Sequence, residues 1–210
     1  MQKQVDKSHY AFSKYITKQR WASMWHQLDE VLKLEPKRVL EVGPGPGVFK
    51  AMATLFGVHV ETLDIDPELK PDHVASVFDM PFEDSSFDVV CAFQMLEHLP
   101  FDQSLQAFRE MSRVASRAIV MSLPDADTRW PMSIYLPKVG PVAFSVPRPR
   151  LRRPKHVFDG EHHWEIGKAG CPLKQVVAAL AGNGIVKLDY TFRVHEHPYH
   201  RFFVFSLCNQ

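Results

Sequence analysis

The acid Glu41 stands two residues ahead of three alternating glycines, Gly43, Gly45 and Gly47, at the end of a short, largely apolar run from Arg38 to Val42. Glycines there let the backbone turn sharply and let a ligand lie directly against it, where a Cβ would intrude. The third glycine comes one residue too early for the dinucleotide fingerprint GxGxxG, and Pro44 and Pro46 offer no N–H to a phosphate. A ligand without phosphates suits this loop better. A second acid, Asp64, lies 21 positions beyond Gly43, near the offset at which a carboxylate after a βαβ unit accepts from both hydroxyls of a ribose. Asp66, ahead of Pro67, reads instead as a cap or turn former.

Two further clusters carry titratable groups. Glu97 and His98 follow the apolar run Phe87 to Phe93, and His98 has the chemistry of a general base as well as that of a packed structural histidine. The stretch from Gly160 to Gly167 holds His162, His163, Trp164 and the carboxylates Glu161 and Glu165. Neighbouring histidines in an extended segment point to opposite sides and rarely ligate one ion, so no metal is expected. Two readings remain side by side: His163 or His162 forms a wall beside a substrate, or Trp164 anchors a loop onto the domain. The histidines of the 195–200 turn read as solvated. Cys91, Cys171 and Cys208 are far apart and odd in number, which fits buried thiols in a reducing cytoplasm.

The elements that must position these groups follow from periodicity. Trp21, Met24, Trp25, Leu28, Val31 and Leu32 fall on one face of a helix expected from about Ser8 to Leu34, ending ahead of Pro36. Upstream, Tyr10, Phe12 and Tyr15 form either a flap over a pocket or surface packing. Strands are expected at 38–42, 58–64, 73–77, 87–93 and 117–124, with helices at 48–56, 101–115 and 171–181 between or after them. The last two strands, 185–194 and 202–207, have no helix between them and so pair as an antiparallel hairpin. Residues 125–170 break the alternation with prolines, aromatics and the basic run Arg148, Arg150, Arg152, Arg153 and Lys155. They are read as a lid-like insertion containing some helix. The basic run is either a solvated arm or an attractor for an anionic small substrate.

With 210 residues, of which 45% are hydrophobic, the chain has enough apolar material for one domain with one sizeable core. That gives an N-terminal helical segment over 1–35 and a main domain over 36–210. Lys and Arg total 25 against 24 Asp and Glu, so no global charge points to nucleic acid or to a membrane. No apolar run approaches the roughly 20 residues of a membrane span, and the polar start MQKQVDKSHY carries no export signal, so a cytoplasmic location is expected. Oligomeric state is left open.

With its flanking strand and helix, Glu41-Val42-Gly43-Pro44-Gly45-Pro46-Gly47 resembles the first motif of the class I S-adenosylmethionine-dependent methyltransferases. Within these it is similar to the small-molecule, ubiquinone-biosynthesis-like group. The resemblance runs motif by motif from Arg38 to Leu123. It implies a three-layer α/β Rossmann-like fold with a seven-stranded sheet whose last strand is antiparallel. It also implies S-adenosylmethionine as cofactor, no metal, and a small-molecule acceptor. Glu41, Gly43, Gly45, Asp64 and Ile65 would then hold the cofactor, with Ile65 against the adenine. Asp79 would accept from the adenine amino group, Met80 N–H would donate to a ring nitrogen, and Gln94 would sit near the methionine part. His98 and His163 are the candidate catalytic groups. A binding protein without transfer activity and a nucleotide-dependent oxidoreductase are the alternatives.

Overall fold

A computed structural model describes Tyr10 and residues 12–150, 152–182 and 184–208; of Lys14 it describes the backbone alone. The expected continuous first helix is broken into α1 (Phe12–Tyr15) and α2 (Lys18–Leu32). Thr17 leaves the helical conformation to cap α2, its Oγ1 accepting from Arg20 N at 3.1 Å. Ser8 lies outside the described residues. There follow β1 (Arg38–Val42), α3 (Val48–Leu55), β2 (His59–Asp64), β3 (His73–Val74), β4 (Phe87–Phe93), α4 (Phe101–Val114) and β5 (Ala115–Pro124). A hairpin, β6 (Arg129–Leu136) and β7 (Gly140–Pro147), precedes α5 (Leu173–Ala181), β8 (Val186–Arg193) and β9 (His200–Leu207).

Seven strands form one sheet in the order β3-β2-β1-β4-β5-β9-β8. The first five are parallel, and β9 runs antiparallel to both β5 and β8. Both faces are buried because alternate residues of each central strand are apolar. Val39, Val89, Val120 and Val204 meet Val31 of α2 and Phe49 and Ala53 of α3. Leu40, Val90, Ile119 and Met121 meet Phe108 and Met111 of α4 and Val176 and Leu180 of α5. Three layers result, with the N-terminal helices sharing one of the two cores. Trp21 and Trp25 depart from the expected packed face of α2. They stay about half exposed, and with Met52 of α3 they line a shallow groove on the outer side.

Two other expectations change. The third strand stops at Val74, because the Ser76 hydroxyl accepts from Phe78 N at 3.2 Å and turns the chain. The insertion contains no helix among its described residues. Its prolines prevent one, and the period-two sequence on either side of the 137–139 turn folds as the two-stranded sheet β6–β7, apart from the main sheet. Its later part returns to the body. Ile166 bridges Asp125 in parallel, with Ala126 N donating to Ile166 O at 2.8 Å. Gly167 has φ +87, and a Cβ there would lie 2.7 Å from Asp127 N, so this crossing requires glycine.

The end of β5 is held by charge. Asp125 is fully buried, pairs with Arg193, and accepts from Arg201 Nε at 2.6 Å, which pins β5 to β8 and β9. Replacing Asp125 by Ala leaves two largely buried guanidinium groups without their counter-charge. The expected loss is about 3–5 kcal/mol in urea-melt stability; a loss below about 1 kcal/mol would show that solvent already neutralises the pair.

Candidate active site

The carboxyl ends of β1, β2 and β4 open into a common cleft, the place where open α/β sheets bind ligands. A small cavity of about 50 Å³ is lined by Val42, Gly43, Leu63, Asp64, Ile65, Ala75, Val77 and Met95. Gly43, Gly45 and Gly47 all have positive φ, at +70°, +53° and +73°. At Gly43 a Cβ would come within 2.6 Å of Met95 Cγ, and at Gly45 one would meet the Tyr10 ring at 3.0 Å. Both are therefore steric requirements. At Gly47 a Cβ would meet nothing within 4 Å, so only its backbone conformation asks for glycine. Asp64 ends β2 at the cleft, where burial raises its pKa although its Oδ1 accepts from Asp66 N at 2.8 Å. Asp66 caps the following turn through Glu68 N, as its place before Pro67 suggested.

Asp79 and Met80 are not brought into this cleft. Asp79 is exposed, and Met80 is buried in the core with its N–H donating to Glu110 Oε1 at 2.9 Å. That donor is therefore spent inside the protein. The chain turns at Ser76, three residues earlier than the expected strand-end acid, so Ala75 and Val77 form the wall instead. Gln94 does lie at the end of β4, in a left-handed conformation with φ +54. Such backbone is costly for a residue with a side chain and is held here by Gln94 N to Ser122 O at 3.0 Å and Gln94 Nε2 to Ser122 Oγ at 3.1 Å.

Beyond Gln94 a single helical turn, Leu96–His98, carries the second half of the site. Glu97 is fully buried, and neither carboxyl oxygen finds a hydrogen-bond partner among the described residues. Burial raises its pKa to about 8. His98 Nδ1 donates to Glu161 O at 3.0 Å. His162, rather than His163, completes the group. Its ring packs edge-on against His98 at 5.1 Å between centroids, and it meets Glu165 Oε1 at 3.2 Å. Tyr199 OH donates to the same Glu165 oxygen at 2.6 Å, so the 195–200 turn supplies a wall of the site, and the buried His200 behind it is kept neutral by desolvation. His163 turns to the opposite side and packs on Phe158, as alternation along an extended segment requires.

The two readings of the 160–167 stretch prove compatible. Trp164 is buried against Phe101, with Nε1 donating to Ser104 Oγ at 2.9 Å, and Ser104 in turn donates to Leu96 O at 2.8 Å. The anchor thus grips the turn that carries Glu97. Tyr10 lies over Gly45, and burial together with Tyr15, Asp64 and Asp66 raises its phenol pKa to about 12. Burial also raises Tyr15, whose field partners include both Glu41 and Glu97. These aromatics cover the glycine loop as a flap. Glu41 is itself buried beneath the loop, raised to about 8 by desolvation, with one oxygen unpartnered among the described residues.

Residues 40–118 match a family described as methyltransferase domain. No curated protein matches the chain by sequence. Among solved structures it is similar to a protein from Pyrococcus horikoshii OT3, at 16% identity and TM-score 0.61, covering 97% of this chain and 100% of that one. A Burkholderia thailandensis 1,6-didemethyltoxoflavin-N1-methyltransferase, solved with 1,6-didemethyltoxoflavin and S-adenosylhomocysteine, matches at 14% identity and TM-score 0.60 over 91% of this chain and 78% of that one. A magnesium protoporphyrin IX methyltransferase from Synechocystis with S-adenosylhomocysteine matches at 12% identity and TM-score 0.58 over 90% and 84%. At such identities the likeness is one of fold.

Two outcomes follow from this geometry. Gly43→Ala places a Cβ on Met95 in an unfavourable backbone region; a loss of about 1–2 kcal/mol in denaturant melts is expected, together with weakened ligand binding. Glu41 and Glu97 hold protons in the folded protein up to pH about 8 that they release near their usual 4.5 when unfolded. The stability they contribute is thus complete below pH 4.5 and lost as pH rises through 8. Melting temperature should fall between pH 6 and 9, and Glu97→Gln, permanently uncharged, should flatten the fall; an unchanged slope would mean Glu97 is ionised in the native state.

Proposed function

We propose that the chain is a class I S-adenosylmethionine-dependent methyltransferase that transfers the methyl group of S-adenosylmethionine to an O–H or N–H of a small organic acceptor held beside Glu97, a reading that the methyltransferase-domain match over residues 40–118 supports. The observation that carries the reading is the pairing of a glycine cradle closed to a Cβ at Gly43 and Gly45 with a fully buried carboxyl at the end of β4 that has no partner among the described residues. The cradle fits the cofactor chemically. Its two prolines leave few donors, which a ligand lacking phosphates does not need. Asp64 would accept from the ribose hydroxyls, Ile65 and Val77 would flank the adenine, and the peptide of Gly43 and the Gln94 amide would border the methionine portion. Glu41 would fix the loop from below.

Bound S-adenosylmethionine supplies a methyl group already activated by its sulfonium. The work left to this chain is alignment, exclusion of water and removal of one proton. The Tyr10 flap and the Trp164-anchored segment exclude water from either side. The Glu97 carboxylate takes the proton that the acceptor loses as the new bond to carbon forms and the sulfur–methyl bond breaks, and the His98 and His162 rings form the wall beside it. Because Glu97 titrates near 8 in the unliganded site, turnover should rise with pH through that value.

Calorimetry separates the alternatives: S-adenosylmethionine and S-adenosylhomocysteine should bind in preference to NADH, and NADH binding more tightly would overturn the assignment. Asp64→Ala should weaken S-adenosylmethionine by about 1–3 kcal/mol, and an unchanged affinity removes Asp64 from the ribose site. In a homocysteine-release screen over phenols, amines and carboxylates, Glu97→Gln should lower kcat and abolish the alkaline rise while leaving cofactor affinity within about twofold.

A further inference from the structure

The net charge of +1 hides a strongly uneven distribution. No acid occurs between Asp127 and Asp159, while Arg129, Lys138, Arg148, Arg150, Arg152, Arg153 and Lys155 all fall in that interval. The same interval contains the β6–β7 ribbon, whose register sorts its side chains into two unlike faces. Trp130 opposes Val146, Met132 opposes Phe144, and Ile134 opposes Val142, so one face is wholly apolar. Pro131 opposes Ser145 and Ser133 opposes Ala143 on the other. Ser133 Oγ meets His195 Nε2 at 3.1 Å, which turns this smaller, more polar face toward the body of the protein. The apolar face is thereby presented outward, with Trp130 51% and Phe144 42% exposed and Val139 in the turn at 72%.

A free two-stranded ribbon is marginal in water, and a contiguous exposed apolar face costs solubility unless something covers it. We propose that the β6–β7 ribbon and the basic run behind it form a docking surface for an anionic lipid bilayer. Trp130 suits the boundary between headgroups and acyl chains, where one end of an aromatic side chain is apolar and the other wet. Arg148, Arg150, Arg152, Arg153 and Lys155 are all exposed and follow the ribbon directly, at headgroup depth for a ribbon lying in the interface. Val157 and Phe158, exposed just beyond them, extend the apolar contact. Pairing of this face with a second copy would bring two sets of like charges together, which charge complementarity with anionic lipid avoids. Whole-chain charge pointed away from a membrane; the local distribution reverses that expectation. The segment continues through His156 into the Trp164 anchor, so docking places the active site close to the headgroups.

The test is co-sedimentation of the full chain with vesicles of phosphatidylcholine alone and of phosphatidylcholine with 30% phosphatidylserine. Binding should be roughly tenfold or more tighter to the anionic vesicles and should weaken in 0.5 M salt. The double variant Trp130→Ser, Phe144→Ser should lose binding to both. Arg148→Ser, Arg152→Ser should keep the weak binding to neutral vesicles and lose the anionic preference. All four positions are exposed, so an unchanged melting temperature checks that the fold is intact. Wild-type chain that sediments with neither vesicle, or a double variant that binds like wild type, overturns the proposal. A wild-type dimer that Trp130→Ser, Phe144→Ser converts to monomer in sedimentation velocity assigns the face to a second copy instead.

Discussion

The hydrogen bond from Trp164 Nε1 to Ser104, continued by Ser104 to Leu96 O, ties a long excursion of the chain to the one helical turn that follows β4. Everything on the acceptor side of the site depends on it. It acts together with the Asp125–Ile166 bridge, the His98–Glu161 and Tyr199–Glu165 hydrogen bonds and a few backbone bonds that hold the 156–167 segment. Without the Trp164 tie His162 would leave His98, and Glu97 would gain access to water. Solvation would return its carboxyl toward the usual carboxylate range, because its high pKa comes from burial first. A packing interaction distant from any ligand therefore sets the protonation of a central group.

The same logic explains the division of labour between the strand ends. β1 and β2 present backbone conformations and one carboxylate, which suit shape recognition of a bulky, phosphate-free ligand. The end of β4 presents titratable side chains in a buried setting, which suits proton movement. Asp125 with its two arginines fixes β5 against β8 and β9, and so fixes the Tyr199 turn that reaches back to Glu165. The paired charge at Asp125 is structural, and the Glu97 carboxyl, unpartnered among the described residues, lies at the proposed reaction centre. An unpartnered buried carboxyl destabilises a fold, and such strain gathers at functional sites.

Most of the sheet was legible in the sequence because buried parallel strands declare themselves as apolar runs bounded by glycine, proline and acids. The terminal hairpin was legible for a simpler reason: no helix fits between its strands. Local side-chain chemistry hid the rest. Ser76 captured a backbone N–H and ended β3 early, which leaves Ala75 and Val77 rather than Asp79 and Met80 lining the cleft. Adjacent histidines had to face opposite ways, but only the Trp164 anchor, a long-range contact, decides that His162 is the one facing inward. Glu97 carried no sequence signal beyond its place after β4, since burial is a property of the assembled fold. The insertion showed its strand character all along in the alternation on either side of Pro137, and its proline content drew attention away from it.

The glycine cradle and the Glu97 turn are proposed to be two halves of one site, and a crystal structure with S-adenosylhomocysteine bound is the decisive measurement. Ribose hydroxyls on Asp64, adenine between Ile65 and Val77, and the sulfur directed across Gly43 toward Glu97 are expected. A ligand whose sulfur points instead toward Lys50 and the Tyr10 side of the loop, with Glu97 remote from it, would show that the two halves do not form one site.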